Sequence, residues 1–181
     1  EGTRKMRCAS ILQYHEGIFF DACGRFDLAA KLQRESAWYA EYFGDTDGVV
    51  IGRFCEASDL LKDALRRGES DAVLQERFSS LEQTLSSVSQ ALVGSALQVQ
   101  WAEGNGPAHM LEVCIWLDRA HPDWDKWLQL ILSAAEKLGE AFKLGADFSR
   151  ALDSARRNEV GSYDLLHAAA TGSDINERKA T

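Results

Sequence analysis

Apolar residues return every third or fourth position along most of this chain, from Arg25 to Ala170. A helix has one apolar stripe and must bury it against others, so the pattern predicts an all-α fold: an antiparallel bundle of about six long helices with two shorter helices at the C-terminal end. The two prolines, Pro107 and Pro122, stand where helices would start, the position that tolerates a missing N–H.

The segment up to Phe20 carries no single clear stripe. A short helix around 9–16 is expected there, docked by Ile18, Phe19 and Phe20 and broken at Gly24. The next helix, 25–43, offers Leu28, Leu32, Ser36, Tyr39 and Phe43 as its stripe, widened by Ala29, Trp38 and Tyr42. Gly44 is its left-handed terminator, and Asp45 to Gly48 form a turn with acids suited to the following N-terminus. A helix over 49–67 buries Ile51, Phe54, Ser58, Leu61 and Leu65 and stops at Gly68.

Ser70 is a candidate cap for a fourth helix, in which Leu74, Phe78, Leu81, Leu85, Val88 and Leu92 form a heptad seam. Such a seam would serve a homodimer, although inside a chain of this length it is expected to pack internally. Residues 94–106 read as an ordered loop anchored by Trp101. A nearly all-apolar helix follows Pro107. After Pro122 comes another, with Trp124, Trp127, Leu128, Ile131, Ala135, Leu138 and Phe142 inward, which Gly145 ends or kinks. The two short helices fall at about 147–157 and 162–170. Residues 1–171 are expected as one domain, and 172–181 as a flexible polar tail.

At 181 residues with 45% hydrophobic and 27% charged content, the chain has enough apolar material for a core without staples. It has no apolar run long enough for a transmembrane helix and no apolar signal core near Glu1. Cys8, Cys23, Cys55 and Cys114 form no C-x-x-C pair and are expected as free thiols, which points to a reducing, cytoplasmic compartment.

The net charge of -8 is unevenly placed. Between Gly68 and Asp125 nine acids face two bases, a local balance of -7. That field disfavours nucleic acid and anionic membrane, and it favours a protein partner with a basic surface. The candidate contact residues are Glu76, Glu82, Trp101, Glu103, Trp116, Asp118 and Asp123. Trp38 joins Trp101 and Trp116 as an aromatic anchor if it is exposed, because Trp is enriched at binding hot spots.

Catalytic signatures are missing from the sequence. Asp118-x-x-His121 and Asp164-x-x-His167 have the spacing of a carboxylate-bridged metal motif but lack its glutamates. There is no G-x-S-x-G elbow, and Gly104-Asn105-Gly106 lacks the Gly-Lys-Ser/Thr of a phosphate loop. The expectation is a non-enzymatic interaction protein with no cofactor and no metal.

From Ser95 to Phe148 the order of features resembles the N-terminal helical domain of cyclase-associated proteins, which regulate actin. Ala96-Leu97 and Trp101 precede Gly106-Pro107; Met110 follows, then His121-Pro122-Asp123-Trp124, and Gly145 with Phe148 closes the stretch. The family's arginine-containing stretch before the loop has no counterpart here, the Trp-to-Pro spacing differs, and two helices are added at the end. The resemblance implies a six-helix bundle that binds cofilin-decorated actin without catalysis. Leu165 to Gly172 is also similar to the first helix of an ankyrin repeat, but half a repeat cannot bury its own face. Two alternatives stay open: a secreted effector or viral protein that binds a host protein, and a small-molecule carrier with a cavity lined by Phe54, Phe78, Trp124 and Phe142.

Overall fold

The computed structural model describes residues 2–94, 113, 122–143, 149–150, 152–153 and 156–157, with side chains from residue 7 onward. Five helices are defined among them, α1 (Gly2–Ala22), α2 (Phe26–Phe43), α3 (Thr46–Arg67), α4 (Asp71–Leu92) and α5 (Trp124–Ala141), and no strand. The chain forms two compact units, Glu1–Ala91 and Leu92–Thr181.

In the first unit the breaks between helices fall where backbone chemistry demands them. Gly44 and Gly68 adopt left-handed conformations, φ 71° and 63°, and their N–H groups return to the last carbonyls of α2 and α3. The Asp45 side chain accepts from Gly48 N at 3.0 Å, satisfying one donor at the start of α3. Arg66 and Arg67 occupy the last turn of α3, opposite in sign to its dipole.

The N-terminal segment differs from expectation. α1 is one continuous helix of 21 residues rather than a short piece around 9–16. It runs antiparallel to α2, with reciprocal bonds between Ser10 and Ser36: Ser10 Oγ donates to Ser36 O at 3.0 Å and Ser36 Oγ to Ser10 O at 2.9 Å. α3 runs antiparallel to α2 on another side, tied by Arg34–Glu56 at 2.7 Å and Arg53–Glu41 at 3.3 Å.

Held from two sides, α2 buries a different face from the predicted one. Its buried residues are Phe26, Ala29, Ala30, Gln33, Ser36, Ala37 and Ala40, whereas Leu28, Leu32, Tyr39 and Phe43 are half-buried and Trp38 and Tyr42 exposed. The reason is the closeness of the crossings. A Cβ on Gly17 of α1 would stand 2.5 Å from Gln33 Nε2, and one on Gly52 of α3 would stand 3.0 Å from Ala37 Cβ and 3.1 Å from Gln33 O. Only small residues let two backbones come this near to a third, so the Ala/Ser side faces inward and the bulkier Leu/aromatic side lies at the margin.

The remaining stripes follow the predicted pattern. Phe54, Ser58, Leu61 and Leu65 of α3 are buried, with Ile51 half-buried. On α4, Leu74, Phe78, Leu81, Leu85, Val88 and Leu92 are all buried, so the heptad seam is spent inside the chain. In the second unit α5 buries Trp127, Leu128, Ile131, Ala135 and Leu138, leaves Trp124 only half-buried at its first position, and closes at Ala141, before Gly145, with Phe142 buried and Lys143 at φ 55°. Arg156 donates to Glu136 of α5. The loop 94–106, the helix after Pro107 apart from the buried Val113, and the helix at 162–170 lie outside the described residues.

Candidate functional site

Two features of the first unit stand out, an exposed aromatic face and a buried charge cluster. The first lies on α2. Because the Ala/Ser side of that helix is taken by α1 and α3, its opposite side carries Trp38 and Tyr42 outward, 58% and 65% exposed and one helical turn apart. Each meets its neighbour edge to face, Trp38 with Tyr39 at 5.0 Å and Tyr42 with Phe43 at 5.7 Å. Arg34 and Glu41 flank Trp38 and hold opposite charges on α3, and Lys31 and Glu35 lie 4.0 Å apart beside it. The result is an aromatic pair inside a rim of matched charges, the composition typical of the centre of an interaction surface. The surround is electrically balanced rather than acidic.

The second feature was not anticipated from sequence. Lys62 of α3 is fully buried, and its Nζ donates to Oδ1 of Asp21 near the end of α1. The same Nζ stands 3.0 Å from Oδ1 of Asp59, also fully buried, close enough for an ion pair although the angle does not make a hydrogen bond. Two carboxyl groups thus share one ammonium in a buried site. Asp59 is accordingly held well above the ordinary carboxyl range. Burial is the main cause; the Lys62 charge opposes it, and the neighbouring Asp21 carboxyl adds to it.

One turn further along α3, Arg66 donates to the carbonyl of Gly24 and, at 2.7 Å, to Asp63 Oδ1. Lys62 and Arg66 also lie over the Phe26 ring, 5.2 Å and 5.1 Å from its centroid. Both cations thus meet the negative end of the α1 dipole, so α3 pins the α1–α2 corner by charge as well as by packing. Nothing in this arrangement presents a nucleophile with an oriented base.

Of the residues proposed from sequence, Glu76 and Glu82 are exposed on α4 and Asp123 is exposed in the turn before α5. Glu76 lies 3.7 Å from Arg77. Six positions separate Glu76 from Glu82, which turns them about 120° apart around the helix. Trp101, Glu103, Trp116 and Asp118 lie outside the described residues. Cys8 and Cys23 are exposed free thiols, Cys55 is buried, and Cys114 lies outside the described residues. Among the described residues no group of His, Cys, Asp and Glu is placed to hold a metal ion, and no helix is long and apolar enough to cross a membrane.

The signal for Trp38 was its place at the edge of the α2 stripe. The signal for Asp59 and Lys62 was fainter: a charged pair three residues apart on a helix whose small and apolar residues run most of the way round. No family model, no curated protein and no solved structure matches this chain.

Proposed function

We propose that this chain is a non-enzymatic, cytoplasmic protein-interaction bundle, built of six long helices and two shorter C-terminal ones. The observation that carries this reading is the pair Trp38 and Tyr42, large aromatic side chains left outside while α2 spends its small residues inside. A folded domain gains nothing from exposing such a pair, whereas a partner that covers it gains the most per residue. The exposed acids Glu76, Glu82 and Asp123 add a charge preference, for a partner with a basic surface. Cofilin-decorated actin is the most concrete such partner, supplied by the resemblance of residues 95–148.

The test is capture of partners by the intact chain and by the Trp38→Ala/Tyr42→Ala variant at low and high salt, with the captured proteins identified by mass spectrometry. It is paired with co-sedimentation on actin filaments with and without cofilin. The expected outcome is a defined partner lost in the variant and weakened by salt. An unchanged set of partners in the variant would overturn the assignment of the aromatic face, and no pelleting with actin would remove that partner.

A further inference from the structure

The buried cluster of Asp21, Asp59 and Lys62 joins two helices through groups that are unequally attached. Asp59 and Lys62 stand one turn apart on α3, with Lys62 Nζ 3.0 Å from Asp59 Oδ1. Asp21 comes from the last turn of α1 and accepts the hydrogen bond that Lys62 donates. The charged groups that act on Asp59 are Lys62 from its own helix and Asp21 from α1; α2 meets the ammonium with the Phe26 ring, and one turn further along α3, Arg66 pairs with Asp63. Neither oxygen of Asp59 receives a hydrogen bond. A buried carboxylate so placed has given up its water and gained no donor in return, so the neutral acid is the favoured form. Its proton is then shared with the facing Asp21 carboxyl.

Ionising Asp59 makes it a competitor of Asp21 for the same ammonium and adds a like charge beside it in a buried site. The two competitors are not equivalent. Asp59 stays beside Lys62 wherever α1 goes, because both are fixed three residues apart on one helix. Asp21 is carried by α1, whose hydrogen bonds to α2 through Ser10 and the Tyr14 carbonyl lie about two turns or more before it. The last turns of α1 are thus free to leave while its first part stays docked.

We infer that Asp59 is a proton-operated latch for the end of α1: while it is neutral, Lys62 is held by Asp21 and the end of α1 is docked on α3; when its proton passes to solvent, Lys62 is taken by Asp59 and the last turns of α1 open. The latch closes in acid and loosens as pH rises. Burial holds the Asp59 carboxyl well above its ordinary range, so the change falls above the pH where exposed carboxyl groups titrate. The Trp38–Tyr42 face plays no part in the latch and can fail without affecting it.

Hydrogen exchange of the full chain tests it, followed by mass spectrometry from the ordinary carboxyl value of 3.8 upward and corrected for the intrinsic pH dependence of exchange. One proton leaves per opening, so the opening constant of residues 18–22 is expected to rise by up to about tenfold per pH unit and to level off once Asp59 has titrated in the docked state. Those amides are expected to exchange faster than the buried core of α3 throughout. Asp59→Asn has no proton to lose, and its α1 end is expected to show no such rise, with the far-ultraviolet circular dichroism of the wild type. An arm without substitution follows the carboxyl-carbon resonance of Asp59 in the wild type, which is expected to titrate at the pH where the rise levels off. An identical rise in Asp59→Asn, an α1 end that opens no more readily than α3, or an Asp59 carbon that titrates at or below its ordinary value would each overturn the proposal.

Discussion

Replacing Lys62 by Met removes a buried ammonium and little volume, so it isolates the electrostatic part of the α1–α3 corner. In the wild type, Nζ faces Asp21 and Asp59, and both Lys62 and Asp59 are fully buried. Without the cation, two carboxyl groups remain in a site that water does not reach. Breaking a buried pair in this way costs about 3–5 kcal/mol, because the surviving charge keeps its desolvation penalty and loses its compensation. For a chain of this size, each kcal/mol lowers the thermal midpoint by about 2–4 °C, so Lys62→Met is expected to lose roughly 6–20 °C.

The assay is urea unfolding followed by circular dichroism at neutral pH, with Lys62→Met compared to the triple variant Lys62→Met/Asp21→Asn/Asp59→Asn. The triple variant is expected to recover most of the loss, since neutral amides have no charge to strand. If the triple variant is no more stable than Lys62→Met, the loss is one of packing and the electrostatic account of the corner is wrong.

The same cluster fixes a sign for pH. Asp59 titrates above its ordinary value because burial disfavours the carboxylate, Lys62 notwithstanding. The folded state therefore holds this proton more tightly than the unfolded state does. Its contribution to stability is full below the ordinary value of 3.8 and is lost as pH rises through the raised folded value. Asp59→Asn carries no titrating group, so its stability relative to wild type should grow over that rise; a difference that stays flat or shrinks would count against the assignment.

Other substitutions separate packing from surface. Gly52→Leu forces a side chain against Ala37 and the Gln33 carbonyl and should destabilise by about 1–3 kcal/mol or more in urea melts. Leu81→Ala empties a fully buried site on α4 and is expected to lose about 2–5 kcal/mol. Trp38→Ala and Tyr42→Ala touch exposed side chains and should leave stability within about 0.5 kcal/mol while abolishing partner capture. Arg156→Ala breaks a partly exposed ion pair with Glu136 and should lose no more than about 1 kcal/mol, less at high salt.

The single-stripe helices were legible residue by residue. Leu74 to Leu92 on α4 and Trp127 to Leu138 on α5 lie buried where their spacing put them, because the buried residues of each recur every three or four positions along a single face. Glycine at 44 and 68 ended helices as a left-handed terminator should. α1 was illegible for the opposite reason. Its packed side carries Ser10, Tyr14, Gly17 and Asp21 while Ile11, Leu12 and Phe19 lie outside, so no apolar stripe marked a buried face and a full helix looked like a fragment. On α2 the periodicity was real but its phase was misjudged, since side-chain size was weighed as hydrophobicity when the crossings with Gly17 and Gly52 needed smallness.

The candidate site divides in the same way. Trp38 was a nameable anchor from sequence, but its exposure depended on which side of α2 the two neighbouring helices occupied. Asp21 lies 41 residues before Lys62, and no local rule joins them. Periodicity along one helix thus determined the fold class, the glycine-terminated ends of α2 and α3 and the α4 and α5 cores, because those depend on 3.6-residue geometry and backbone chemistry alone. The tertiary structure decided the face of α2 that is hidden, the bare side of α1, and the meeting of two aspartates with one lysine, because each depends on distances between helices that a single strand of sequence does not encode.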